Sequence, residues 1–142
     1  MKPLRLPATL DSLEEIGKYV IAATTQAGLG TKAAYGLRLA VDEIATNIIT
    51  HGYEEAGRTG DVVVSGELTD SSLTIFLEDT GVPFDPLAKE PPSEEDLALP
   101  LEERPIGGLG IFLVQKGVDI FSYEFADGRN RNIFVMNRPG KE

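Results

Sequence analysis

The chain has 142 residues, which suits one domain of ordinary size with a single buried core. It has no cysteine and one histidine, which excludes a disulfide framework, a thiolate zinc site and a multi-histidine metal site, so any metal is expected to be oxygen-bound. The formal charge of −10, with 13 basic residues scattered along the chain, argues against a nucleic-acid surface, although backbone N–H groups and a bound cation can still neutralise a compact anionic ligand locally.

From the N-terminus, Met1 to Pro7 carries neither a long apolar run nor a small-residue cleavage site. No later segment approaches the roughly 18 apolar residues that a membrane span needs, so the chain reads as cytoplasmic. Leu4 to Leu6 alternates briefly, as an edge strand does. Asp11 and Glu14 have capping-box spacing ahead of Leu13, Ile16, Val20 and Ala23, which predicts a first helix ending near Gly28. A second helix is predicted from Thr31, with Leu37, Val41, Ile44 and Ile48 in one core-facing stripe and a stop at His51-Gly52.

The period changes at Asp61. Val62 to Val64 and Leu73 to Leu77 are short β-branched or aromatic runs, and Asp70-Ser71-Ser72 between them makes a hairpin. Asp79-Thr80-Gly81 is a turn, and Asp85 to Pro105 is an acidic, proline-rich stretch with no periodicity, of a length expected for a lid, a binding loop or disorder. Gly107-Gly108-Leu109-Gly110 precedes a helical stretch from Ile111 to Val118. Two closing strands around Phe121–Phe125 and Ile133–Met136 then meet at an Asp127-Gly128 turn. The order predicts an α+β fold, a two-layer sandwich with helices on one face of a mixed, mostly antiparallel sheet.

Three groups of residues carry chemistry. Glu43 and Asn47 lie four apart on the second helix and border its apolar stripe; a carboxylate there suits a general base and an Asn carbonyl suits Mg²⁺, while an ordinary polar helix flank has the same spacing. Asp79 is an acceptor suited to the exocyclic amine of adenine and Gly81 allows close backbone approach, although Asp-x-Gly is also a common surface turn. Gly107, Gly108 and Gly110 at a helix start expose N–H groups to a phosphate chain; a flexible hinge looks the same. The glycines are not a Walker A loop, since no Lys-Ser or Lys-Thr follows them, and the dinucleotide spacing is absent.

In this order and separation, the sequence resembles the GHKL ATPase superfamily, with its Bergerat-type fold, and within it the bacterial anti-sigma-factor serine/threonine kinases. The resemblance runs from about Leu4 to Arg138 and is strongest at Leu39-Ala40-Val41-Asp42-Glu43-Ile44-Ala45-Thr46-Asn47, followed by His51-Gly52-Tyr53, which looks like the family's N box. It implies one ATP-binding domain over residues 1–142, with Glu43 as general base and Asn47 as Mg²⁺ ligand. It further implies Asp79 and Gly81 at adenine, Gly107, Gly108 and Gly110 at the phosphates, and an ATP lid at about 86–105. Arg104 is a candidate for the γ-phosphate or a partner protein, with an exposed loop arginine as the bland alternative. Asn132 stands roughly where the superfamily often has a threonine near adenine. Pro83 stands where many histidine kinases carry a second glycine, a departure that points to the anti-sigma branch.

The activity implied is phosphoryl transfer from Mg-ATP to a small anti-anti-sigma (STAS-type) protein, by a homodimeric kinase that also binds a sigma factor or similar regulator. The alternative is a partner-switching module that binds ATP without using it. A stray histidine-kinase catalytic domain is disfavoured, because no dimerisation helix pair fits before the first helix. The lone histidine, His51, is read as packing or capping its helix end.

Overall fold

Strand β1 (Leu4–Pro7) leads through a 3₁₀ turn at Leu10–Ser12 into helix α1 (Leu13–Ala27). The computed structural model describes residues 1–83, 85, 86 and 108–138. The Asp11/Glu14 spacing does not form a capping box. Asp11 falls inside the 3₁₀ turn and the N-cap of α1 is Ser12, whose backbone is already helical, so its hydroxyl donates to the Pro7 carbonyl at 2.7 Å instead. The other end is as expected. Gly28 takes a left-handed conformation (φ 72°), and the N–H groups of Gly28 and Leu29 reach the carbonyls of Thr25 and Thr24 in a Schellman motif.

Helix α2 (Thr31–Asn47) buries Leu37, Ala40, Val41, Ile44 and Ala45 along one face. It does not stop at His51-Gly52: a π-helical segment, Ile48–Glu54, continues it. The expected stop required Gly52 to turn left-handed, whereas only Gly28, Gly57 and Gly128 do so among the described glycines. Gly52 serves close packing instead, and its carbonyl accepts the Val82 N–H at 3.1 Å.

Strands β2 (Asp61–Leu68) and β3 (Ser72–Asp79) form the predicted hairpin, helix α3 (Gly108–Gly117) follows, and β4 (Ile120–Ala126) and β5 (Arg129–Asn137) close the chain order. Asp127 and Gly128 both have positive φ (55° and 76°), the geometry of a two-residue type I′ hairpin. The sheet order is β1-β2-β3-β5-β4. The mostly antiparallel sheet expected is present, and among the described residues every pairing is antiparallel, with no parallel pair to make it mixed. The reason is topological. The crossover through α3 makes β4 run in the same direction as β3, but the β4–β5 hairpin places β5 between them, so the parallel strands never pair.

Burial alternates along β3 and β5, with Leu73, Ile75, Leu77, Phe134 and Met136 on the covered face. Ile16, Val20, Leu37, Val41 and Ile44 from the helices join them in one hydrophobic cluster, each large side chain contributing roughly 1.5–3 kcal/mol. Phe121 on β4 packs on Phe134 with ring centroids 5.1 Å apart. Among the described residues no helix is long and apolar enough to cross a membrane.

Candidate functional site

The register of the sheet sets the site. Asp79, the last residue of β3, pairs with Asn130 of β5, and Leu77 pairs with Asn132. Asp79, Asn130 and Asn132 therefore share the covered face with Leu77 and Phe134, and all three are buried. Buried polar side chains need partners. Asp79 Oδ1 accepts from the Gly81 N–H at 2.9 Å and from Asn130 Nδ2 at 3.0 Å. Asn130 Nδ2 also donates to the Gly81 carbonyl at 3.2 Å, and its own Oδ1 accepts from the Tyr123 hydroxyl. Burial pushes the Asp79 carboxyl above its ordinary 3.8, while the Gly81 N–H and the Asn130 amide partly hold it down.

Asn132 behaves differently: its Oδ1 is buried without a hydrogen-bond partner. Both Asn130 and Asn132 line a small cavity with Asp79, Ile48, Gly52 and Val82. An orphaned carbonyl oxygen beside a carboxylate makes a wall of acceptors, which fits a ligand that presents an amine, as adenine does.

The opposite wall is the π-helical segment. Tyr53, fully buried, donates its hydroxyl to the Asp61 carbonyl at 3.0 Å and accepts the Thr80 N–H at 2.9 Å, tying the segment to the start of β2 and the end of β3. A Cβ on Gly81 would stand 2.8 Å from the Gly52 carbonyl oxygen, so glycine is required at position 81 by this contact alone. Short π segments occur frequently at functional sites because they re-aim the helix at a chosen point.

Asn47 is the last residue of α2 and directly precedes the cavity-lining Ile48. Glu43 lies one helical turn earlier and is half-buried; desolvation first, and then the neighbouring Asp42 charge, raise its carboxyl above the ordinary 4.5. A half-buried carboxylate with a raised pKa is a fitting general base.

Helix α3 begins at Gly108, so Gly108 and Gly110 lie within its first turn, not ahead of it as expected. The consequence for anion binding is unchanged, because the first four N–H groups of a helix have no intrahelical partner. At the other end of α3, Gly117 rests on Gly36 of α2. Only the first turn of α2 precedes Gly36, and α2 and α3 make the most extensive of the helix pairings. Helix α3 must therefore run back along α2, carrying its first turn toward the end that holds Glu43 and Asn47. Arg104, Gly107 and, except for Pro86, the lid expected at about 86–105 lie outside the described residues. A larger cavity of about 1050 Å³ lies at the far end of α2, between Gly30, Tyr35, Lys116 and Asp119, and contains none of these groups.

Neither Asn130 nor Tyr123 stood out in the sequence, and Tyr53 did so only within the His51-Gly52-Tyr53 run. For Asn130 a signal existed: it has the same parity as Asn132, Phe134 and Met136, which places it on the core face of β5. His51 pairs with Glu55 through Nδ1 at 2.7 Å, beside the site but outside its cavity.

Comparison with known proteins bears on this geometry. The family model described as "Histidine kinase-like ATPase domain" matches residues 6–137. The proteins named Serine-protein kinase RsbW from Bacillus thuringiensis (strain Al Hakam) and Bacillus cereus (strain 03BB102) are each 26% identical over 117 residues, covering 82% of this chain and 72% of theirs. A crystal structure of the RsbU and RsbW domains of Rv1364c from Mycobacterium tuberculosis shares the fold, with a TM-score of 0.64 at 16% identity. That match covers 99% of this chain, which spans 34% of the solved one.

Proposed function

This chain belongs to the histidine kinase-like ATPase domain family, and from that premise we propose that it is an ATP-dependent serine/threonine protein kinase acting as an anti-sigma regulatory factor. Its protein substrate is a small anti-anti-sigma protein of the STAS type, and its second partner a sigma factor or similar regulator. The protein acts in the cytoplasm as a homodimer, with residues 1–142 forming one ATP-binding domain and a lid at about 86–105. The name of the relatives, Serine-protein kinase RsbW, supports the reaction class. The observation that carries the nucleotide reading is the orphaned Asn132 Oδ1, a buried acceptor without a donor that lines the same cavity as Asp79.

In this reading Asp79, supported by Gly81 and Asn130, holds the adenine amine, and Asn132 offers the second acceptor. The N–H groups of Gly107, Gly108 and Gly110 hold phosphate oxygens, with Arg104 as a further contact. Asn47 would hold Mg²⁺ together with phosphate oxygens and water, since no three His, Asp or Glu side chains among the described residues converge to hold a metal. When bound, the ion neutralises charge that develops on the phosphates. Glu43 accepts the proton of the attacking serine or threonine hydroxyl. The hydroxyl oxygen forms its bond to the γ-phosphorus as the bond to the β–γ bridging oxygen breaks, leaving ADP and a phosphoserine or phosphothreonine. Positioning supplies most of the acceleration such a transfer needs.

Incubation with γ-labelled ATP, Mg²⁺ and a STAS-type protein tests the proposal. Label on a serine or threonine, lost with Glu43→Ala while ATP still binds, is the expected result. ATP-dependent partner exchange with no label transferred would identify a switching module without chemistry. Sedimentation of the purified protein tests the dimer.

A further inference from the structure

The Asn130 amide engages three groups, using both of its donors and one acceptor site of its oxygen. Its two N–H bonds go to Asp79 Oδ1 and the Gly81 carbonyl, at 3.0 and 3.2 Å, and its oxygen accepts the Tyr123 hydroxyl. This fixes the amide's orientation, because the flipped amide would aim its oxygen at a carboxylate and a carbonyl. Tyr123 reaches it diagonally. It pairs directly with Asn132 across the β4–β5 ladder, and Asn130 is the next residue on the same face, within range of a long aromatic side chain.

Asp79 Oδ1 is thereby saturated by the Gly81 N–H and the Asn130 amide, and Oδ2 is the oxygen left to meet a ligand. A carboxylate oxygen held at one place discriminates by chemistry: it accepts from an amine at C6 of a purine and opposes an oxo group there. The precision of that oxygen depends on how firmly Asn130 is held, and β4 is the edge strand of the sheet, with Tyr123 only half-buried. The hydroxyl thus reaches inward from the rim to an amide that is itself buried.

We propose that Tyr123 is a positioning residue for base selection, holding the Asn130 amide so that Asp79 keeps one oxygen aimed at an amine-bearing purine. The proposal rests on the nucleotide-binding reading above. It assigns Tyr123 no contact with the base and no part in the transfer of phosphate.

Calorimetric titration of the unaltered protein, Tyr123→Phe and Phe121→Leu with ATP and with GTP tests it. Tyr123→Phe keeps the ring and removes the hydroxyl; Phe121→Leu disturbs the packing of the same strand through Phe134. The expected result is a threefold to tenfold loss of ATP affinity in Tyr123→Phe with GTP affinity unchanged or improved, so that the ATP-to-GTP ratio narrows. Phe121→Leu is expected to lower the melting temperature and to leave the ratio alone. Parallel weakening of both nucleotides in Tyr123→Phe, or an unchanged ratio, overturns the positioning role while leaving the nucleotide reading intact. Failure of the unaltered protein to bind ATP overturns that reading and this role together.

Discussion

Gly117 and Gly36 meet backbone to backbone where α3 crosses α2: a Cβ built on Gly117 would fall 2.5 Å from the Gly36 carbonyl oxygen, and one built on Gly36 would fall 3.0 Å from the Gly117 oxygen. Neither neighbour is a flexible side chain that could swing away. This contact sets the separation of the helix carrying Glu43 and Asn47 from the helix carrying Gly108 and Gly110.

Gly117→Ala is therefore expected to destabilise the fold by about 1–3 kcal/mol, since the two backbones must separate. Gly36→Ala should cost less. Urea denaturation monitored by circular dichroism measures both, and a Gly117→Ala variant as stable as the parent would contradict the close crossing.

Asp79→Asn separates stability from binding. The Asp79 carboxyl titrates above its unfolded value of 3.8, because burial outweighs its hydrogen bonds. Its contribution to stability is therefore fully present below 3.8 and is lost as pH rises through the folded value. The Asn variant, which has no charge to bury, should melt no lower than the parent at pH 7, and its advantage should shrink as the pH is lowered toward 4. ATP affinity should nevertheless fall about 10- to 100-fold, as expected for losing a buried, charge-assisted hydrogen bond. Melting curves across pH and calorimetry at pH 7 provide the two readings.

Glu43→Gln preserves shape and removes the proposed base. Phosphoryl transfer is expected to fall by about 10²–10⁴-fold, with ATP affinity little changed. In the parent, transfer should decline on acidification at a pH above the ordinary glutamate value of 4.5, because Glu43 is raised by burial and by Asp42 and the proposed base must be ionised to accept a proton. A pH–rate profile with single-turnover kinetics tests both statements.

Arg138 ties two distant points together, donating from Nε to the Ala27 carbonyl at 2.9 Å and from Nη1 to the Thr69 carbonyl at 2.8 Å. It thus closes the C-terminal end of α1 against the β2–β3 turn. Arg138→Ala is expected to cost about 1–3 kcal/mol by removing charge-assisted hydrogen bonds to the helix-end carbonyl of Ala27 and the turn carbonyl of Thr69. Hydrogen exchange should show faster opening in the last turn of α1.

The elements of this fold were readable wherever local chemistry alone decides them. Gly28 ended α1, Asp127-Gly128 made the hairpin, and the stripe of Leu37, Val41 and Ile44 marked the buried side of α2. Legibility stopped where a distant contact decides. Gly52 read as a helix stop, yet it is there because Gly81 and Val82 pack against it, and nothing near position 52 announces that. The all-antiparallel pairing likewise depends on β5 settling between β3 and β4, a choice made across the whole sheet. In the site, Asp79 was visible as a turn residue, whereas its partnership with Asn130 required knowing the register of two strands fifty residues apart. Asn132 was visible, but that its carbonyl lacks a partner emerges only from the packing.

The inner position of β5 also constrains the order in which the protein can mature. The cavity floor is laid by Asn130 and Asn132 on β5, while the helix bearing Glu43 is made some ninety residues earlier. A nascent or truncated chain that ends before Arg129 has the helix but no floor, and β3 is left with an open edge where β5 belongs. A cavity floored by Asn130 and Asn132 is thereby withheld until the β4–β5 hairpin has been made.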